Sequence, residues 1–279
     1  MKAILKNDWM SDNLHDRLEI KFSDLNPNLD FEVKFNPYTF EQVEFHKAAD
    51  QACREISEKY ENLFLAYSGG LDSEYVLRAF HRNGIKVTPI IVCCGNEFEN
   101  EYAYETCEEL GIDYINVDVT EDVFFEWYAR HIGVTLKGIG VHSTQKLFAA
   151  EVAKSKNGAL VLGLNVLGDG DDIIDDVAIM CEWDFYTNTL YEGVDIVPFF
   201  LYSQELTYSM IPDEQEIGNK WSNYKAKLYN LPRRRKLYPA YSNELEYRIN
   251  MIKRVIPEHK IVCSWSRQDF FNIFNDFKR

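Results

Sequence analysis

The sequence predicts an α/β protein: a parallel sheet with helices on both faces, a small N-terminal β extension and a mainly helical C-terminal part. Three observations carry this. From residue 63 to about 166, short and almost continuous apolar runs alternate with segments of helical period. Strands that are apolar on both faces belong to parallel sheets buried between helix layers. A Ser/Gly turn follows the first run directly and opens a helix, and beyond residue 175 the alternation gives way to segments rich in Tyr, Phe and Trp.

Taken in order, residues 17–22 (RLEIKF) and 30–35 (DFEVKF) alternate apolar with polar residues around the turn-rich stretch 24–28 (DLNPN), which predicts a hairpin or edge strands. Residues 39–60 place Phe40, Val43, Phe45, Ala48, Ala49, Ala52 and Ile56 at helical spacing, an amphipathic helix that feeds the core. Strands follow at 63–67 (LFLAY), 86–93 (KVTPIIVC), 114–119 (YINVDV) and 159–164 (ALVLGL). Helices fall between and before them, near 71–83, 97–110, 121–131 and 143–156. The expected division is an extension over 1–60, a core over 61–200 and a basic, aromatic-rich helical part over 201–279. In a sheet of this kind, ligands sit at the carboxyl ends of the strands.

Composition narrows the function classes. The 279 residues include 45 Asp/Glu against 30 Lys/Arg, a net charge of −15, and 46% are hydrophobic. No 18 consecutive residues are apolar, and residues 1–13 (MKAILKNDWMSDN) lack the apolar core and cleavage site of a signal peptide, so a cytoplasmic protein without a membrane partner is expected. Six cysteines form no CxxC pair and read as reduced thiols, mostly packing residues. Residues 1–218 carry 16 Lys/Arg and 40 Asp/Glu, a net −24, whereas 219–279 carry 14 and 5, a net +9. The basic segment either meets a polyanion or phosphate or docks on the acidic body.

The sharpest motif is Ser68-Gly69-Gly70-Leu71-Asp72-Ser73, placed between the first buried strand and its helix. Two glycines let the backbone turn tightly and approach an oxyanion, and the hydroxyls and first helical N–H groups converge on the same spot, a phosphate or pyrophosphate cradle. No GxxxxGK[ST] occurs, and no GxGxxG follows a strand, which removes the main support for kinase, GTPase and dinucleotide dehydrogenase readings.

SGGLDS after a strand resembles the signature of the PP-loop (N-type) ATP pyrophosphatases, whose Rossmann-like fold binds ATP and cleaves it between the α and β phosphates. That superfamily includes asparagine synthetase, GMP synthetase, NAD synthetase, argininosuccinate synthase, tRNA thiolation enzymes and phosphosulfate reductases. Three further segments are similar to the synthetase domain of asparagine synthetase: Gly168-Asp169-Gly170-Asp171-Asp172 after the fourth strand, Val197-Pro198-Phe199-Phe200-Leu201 with Glu205-Leu206, and the basic stretch Leu231-Pro232-Arg233-Arg234-Arg235-Lys236. The likeness covers, with gaps, roughly residues 60–240. It implies ATP and Mg²⁺ as cofactors, with Ser68, Gly69, Gly70, Leu71, Asp72, Ser73, Val92 and Gly163 around the nucleotide. It also implies Asp72 and Asp172 toward Mg²⁺, and Asp72, Lys146, Arg234 and Lys236 in the chemistry, where fixed cations would stabilise the charge of departing pyrophosphate.

The departures from that family are informative. Its glutaminase domain carries a cysteine directly after Met1, but this chain has Lys2, no Cys before Cys53, and only about 60 residues ahead of the core. Free ammonia, an amine, or a donor protein handing over ammonia, amine or sulfur is therefore expected. The acidic loop has Ile173 where the family has Glu; a metal loop or a solvated helix-capping cluster both suit Asp169, Asp171, Asp172, Asp175 and Asp176. The CxxC pairs with which the iron–sulfur thiolation enzymes and the zinc-holding deazaguanine nitrile synthases of the superfamily clasp their metal are absent here. Adjacent Cys93-Cys94 fit a sulfur-carrying pair or buried packing. His142 is the histidine nearest the expected site, and no HExxH spacing exists. Trp221, Tyr224, Tyr229, Tyr238, Tyr241 and Tyr247 interleave with the basic residues, either to stack on bases of a nucleic acid or to pack on the sheet. The expected acceptor is a small molecule or a nucleobase, and a nucleotide-binding module that has lost catalysis is the remaining alternative.

Overall fold

The computed structural model of the chain describes residues 4–12, 33–35, 41–93, 97–120, 122–123, 141–163, 194–210 and 221–231. The sequence-predicted helix at 121–131, apart from residues 122–123, and the strand at 17–22 lie outside them, as do the acidic loop and the run Arg233–Lys236.

Helix α1 (Phe45–Lys59) starts where the Glu44 carboxylate accepts hydrogen bonds from the amides of His46 and Lys47. These bonds outweigh the slight desolvation of the exposed Glu44 side chain and hold its carboxyl below the usual range. The apolar stripe Phe45, Ala48, Ala49, Ala52, Cys53 and Ile56 is buried as its period requires. Next come β3 (Leu63–Ala66), α2 (Leu71–Arg82), β4 (Thr88–Cys93), α3 (Glu97–Leu110), β5 (Ile115–Asp118), α4 (Val141–Ser155) and β6 (Ala159–Leu162). Strand β7 (Ile196–Pro198), a single 3₁₀ turn, and helices α5 (Gln204–Ser209) and α6 (Trp221–Tyr229) follow. The antiparallel pair β1 (Met10–Asp12) and β2 (Val33–Phe35) precedes them all.

The five strands β3 to β7 form one parallel sheet in the order β5-β4-β3-β6-β7. The α/β class is as predicted, and the strand order is that of a Rossmann-like half: the chain moves outward from β3 to β5, then returns to the other side of β3. All four residues of β6 and all three of β7 are buried. Successive side chains of a strand point to opposite faces, so both faces are covered. Edge strand β5 alternates half-buried with exposed residues instead. Helix α4 packs across β4, β3 and β6, and α2 packs against β3, α1, α3 and α6.

Two strands appear that the sequence reading did not place. The expected second N-terminal strand, at 33–35, pairs antiparallel with residues 10–12, Met10 opposite Phe35. A fifth parallel strand, β7, sits where only an apolar segment was read; three residues give too short a run to show periodicity. Its outer edge is held by the N-terminus: Ile4 N donates to Ile196 O (2.9 Å), Lys6 N to Tyr202 O (2.6 Å), and the fully buried Trp9 gives its indole N–H to Leu201 O (3.0 Å). Among the described residues no helix is long and apolar enough to cross a membrane.

Candidate functional site

The crevice at the carboxyl ends of β3 and β6 is the point where the strand order reverses, the location at which open parallel sheets bind ligands. Ser68–Ser73 occupies it, leaving β3 and opening α2. Gly69 has φ +72°, a left-handed conformation that a side chain would strain, so the motif's first glycine is a requirement of the turn. Gly70 is the N-cap and offers no side chain to the helix. The intrahelical ladder begins with Glu74 N donating to Gly70 O at 2.8 Å, so the amides of Leu71, Asp72 and Ser73 precede it.

The two motif hydroxyls brace the loop. Ser73 Oγ donates to Gly70 O at 3.0 Å and lies 3.3 Å from Ser68 Oγ, which in turn accepts from Gly70 N at 3.3 Å. Ser68 is exposed while Ser73 is buried, so the rim residue and the floor residue differ in role. Gly163, just past the end of β6, lies directly against the first turn of α2: a Cβ built there would stand 2.9 Å from Ser73 N and 3.0 Å from Ser73 Cα. Val92 is buried near the carboxyl end of β4, one strand away. Lys146 is half-buried in the second turn of α4. That helix ends just before β6 begins, which puts its first turns toward the carboxyl edge of the sheet.

Asp72 is the member of the motif with charged company. Its Oδ2 lies 2.7 Å from Lys225 Nζ, and its Oδ1 accepts a hydrogen bond from Tyr229 Oη at 2.6 Å. Lys225 and Tyr229 are i, i+4 neighbours on α6, so one helix face delivers both. Tyr229 is fixed in turn by an aromatic stack, 4.6 Å from Tyr75, 5.5 Å from Phe200 and 5.6 Å from Phe45 between centroids. Tyr75 Oη accepts from Arg82 (3.1 Å) and contacts His46 Nδ1 (2.9 Å), which ties the stack to α1 and α2.

A second polar cluster lies at the ends of β4 and β5. The Cys93 thiol donates to Asn116 Oδ1 (3.2 Å) and is 3.0 Å from Tyr104 Oη, while Tyr104 donates to the same Asn116 oxygen at 2.6 Å. Burial pushes the Cys93 thiol above the ordinary cysteine value, against the opposing influence of the adjacent Tyr104 hydroxyl, so it is a neutral donor at neutral pH. Cys94 lies outside the described residues, as do Asp172, Arg234 and Lys236; of His142 only the helical backbone is described.

No family model matches this sequence, and no curated protein does. Among solved structures, the NMN synthetase of Francisella tularensis overlaps with a TM-score of 0.36 at 16% identity, covering 81% of this chain and 99% of that one. The NH3-dependent NAD synthetase of Campylobacter jejuni, in complex with nitrate, gives 0.35 at 18% identity, covering 76% and 96%. A predicted subunit of tRNA methyltransferase from Methanocaldococcus jannaschii gives 0.37 at 13% identity, covering 75% and 94%. Overlaps this small assign this chain no activity.

Sequence reasoning assigned Ser68–Ser73, Val92 and Gly163 to the nucleotide site but missed Lys225, and it read Tyr229 only as an aromatic that stacks on bases or packs on the sheet, not as a partner of Asp72. A lysine inside a basic segment looks like solvated charge. The available signal was its spacing: Lys225 shares a helix face with Tyr229 and Leu228, and Tyr224 and Tyr229 both pack against the core.

Proposed function

We propose that this chain is an ATP-using enzyme of the PP-loop pyrophosphatase type that adenylates a carboxylate or amide oxygen and passes the activated group to ammonia or an amine. The observation that carries this reading is the SGGLDS loop itself, turned by Gly69 and opening α2 at the reversal of strand order, with helix amides not yet committed to the helix. Ser68, Gly69, Gly70 and Ser73 would take the β and γ phosphates. An oxygen of the acceptor attacks the α-phosphorus, the bond to the bridging oxygen breaks, and pyrophosphate leaves. Ammonia or an amine then displaces AMP from the acyl or imidoyl carbon and loses a proton. The chain supplies position and charge rather than a covalent nucleophile.

Mg²⁺ fits this site only together with the nucleotide. Among the described residues no group of three His, Cys, Asp or Glu side chains could hold a metal. Magnesium typically takes one or two carboxylates and completes its shell with substrate phosphates and water. The Asp72 carboxylate keeps lone pairs beyond its two contacts, and Asp172 is the second carboxylate proposed. Bound there, the ion would offset phosphate charge. Lys146, Arg234 and Lys236 are proposed for the pyrophosphate side.

The test is product analysis with α-labelled ATP, Mg²⁺ and pooled acceptors: amino acids with ammonia, tRNA, and single-stranded DNA. Acceptor-dependent AMP and pyrophosphate, lost in Asp72→Ala, support the reading and identify the acceptor pool. ADP and phosphate, or no turnover in any pool, would overturn it.

A further inference from the structure

Lys225 is 1% exposed. Burying an ammonium is costly unless a partner compensates, and a Leu or Met would fill the same helix position without that cost. One compensating partner is the carboxylate of Asp72, at 2.7 Å, inside the SGGLDS loop. Tyr229, one turn on, holds the other oxygen of the same carboxylate, and its ring is locked between Tyr75 and Phe200. Both Asp72 oxygens are thus oriented from α6, an element 153 residues away in sequence.

The need for this arrangement follows from the loop's chemistry. A polyphosphate entering beside the amides of residues 71–73 meets the negative charge of Asp72, which in a half-buried place is poorly screened. A cation fixed 2.7 Å from the carboxylate offsets that repulsion and holds Asp72 from rotating onto the loop amides as an internal cap.

We infer that Lys225, assisted by Tyr229, is a positioning residue of the phosphate site: its buried ammonium neutralises and orients Asp72, making α6 a working part of the SGGLDS loop. This rests on the reading of the loop as a polyphosphate site. Lys225 acts through Asp72, and the phosphates themselves remain with the loop.

The experiment is calorimetric titration of the full chain with inorganic pyrophosphate and with α,β-methylene-ATP, in EDTA and again in Mg²⁺. The variants are Lys225→Met, Lys225→Arg, Tyr229→Phe and the double variant Lys225→Met/Asp72→Asn, each checked for folding by circular dichroism. Lys225→Met should weaken metal-free pyrophosphate binding about tenfold or more, because it leaves a carboxylate unbalanced at the site. Lys225→Arg keeps the charge and should stay within about threefold. The double variant should regain most of the loss, since an amide needs no balancing cation; a lysine that merely docked α6 would show no such rescue. Binding by Lys225→Met within twofold of wild type, or the absence of rescue, overturns the inference while leaving the phosphate-site reading intact. If Lys225→Met does not fold, Tyr229→Phe decides, with about threefold weaker binding expected from one lost charge-assisted hydrogen bond and unchanged binding overturning the inference. A wild-type protein that binds neither probe removes the phosphate-site reading and the inference with it.

Discussion

Gly163 and Ser73 touch backbone to backbone: the space for a Cβ on Gly163 is already taken by Ser73 N at 2.9 Å and Ser73 Cα at 3.0 Å. The end of β6 and the first turn of α2 therefore sit as close as two chains can, and the reversal point of the sheet is closed from below. This contact fixes the height of the SGGLDS loop above the sheet.

Replacing Gly163 by alanine should push the loop off the sheet. The neighbour is backbone, which cannot swing aside as a side chain would, so a cost of about 1–3 kcal/mol is expected from overpacking. Urea unfolding should register that loss, and pyrophosphate binding should fall with it. Gly84→Ala is the control: its φ is +68° but nothing stands within 4 Å of its Cβ, so it should lose stability and keep its ligand affinity. Equal affinity losses in both variants would show that the Gly163 effect is not local to the loop.

Alkaline stability follows from buried thiols and phenols. Burial raises the Cys107 thiol from 9.0 to about 11, and raises Cys53, Tyr67 and Tyr75 as well. A group whose native value lies above its unfolded value stays protonated in the fold while the unfolded chain releases its proton, so stability is full below the unfolded value and falls above it. For Cys107 the window runs from about pH 9 to pH 11. Cys107→Ala should be less stable than wild type at pH 7, where it lacks the buried sulfur, and the two urea midpoints should converge between pH 9 and 11. A constant gap across that range would refute the assignment.

The parts of this fold that could be read from sequence are those that repeat a period. Strands β3, β4 and β6 show as nearly continuous apolar runs, and α1 as a stripe from Phe45 to Ile56, because burial on both faces or on one helix face leaves a pattern in the residues themselves. The loop between β3 and α2 was legible for a different reason: Gly69 at φ +72° and the bracing serines leave few residue choices. What escaped were contacts made at a distance. Trp9 reaches Leu201 and Lys225 reaches Asp72 across 192 and 153 residues, and neither residue type in isolation announces a partner. The +9 excess after residue 218 allowed both a polyanion and an acidic partner within the chain; at Lys225 the partner is Asp72.

The aromatic stack joins Tyr229, which holds Asp72, to Tyr75, whose hydroxyl meets Arg82 and His46. Tyr75→Phe keeps the ring under Tyr229 but leaves Arg82 and His46 facing a lost hydroxyl, and should cost about 1–3 kcal/mol without changing pyrophosphate affinity. Tyr75→Ala removes the ring as well, so Tyr229 and the Asp72 contact should loosen and affinity should fall. Stability and binding measured on both variants separate the two contributions. If Tyr75→Ala binds pyrophosphate as wild type does, the stack has no hold on the loop.

The N-terminal residues cover the β7 edge of the sheet. Ile4 N bonds to Ile196 O, Trp9 is fully buried with its indole on Leu201 O, and Lys6 Nζ lies 3.0 Å from Glu55 and 3.5 Å from Glu205. An uncovered edge of three apolar residues would offer its open backbone groups to another chain. Trp9→Phe should cost about 1–3 kcal/mol, since the Leu201 carbonyl loses its buried donor. Trp9→Ala adds a cavity and should cost about 3–5 kcal/mol. The ion pairs are half-exposed, so Lys6→Met should change stability by less than about 1 kcal/mol. Urea midpoints rank the three, and light scattering adds a second readout: with the edge freed in Trp9→Ala, self-association should rise with concentration. A Trp9→Ala chain as stable and as monomeric as wild type would mean that β7 is held from the sheet side alone.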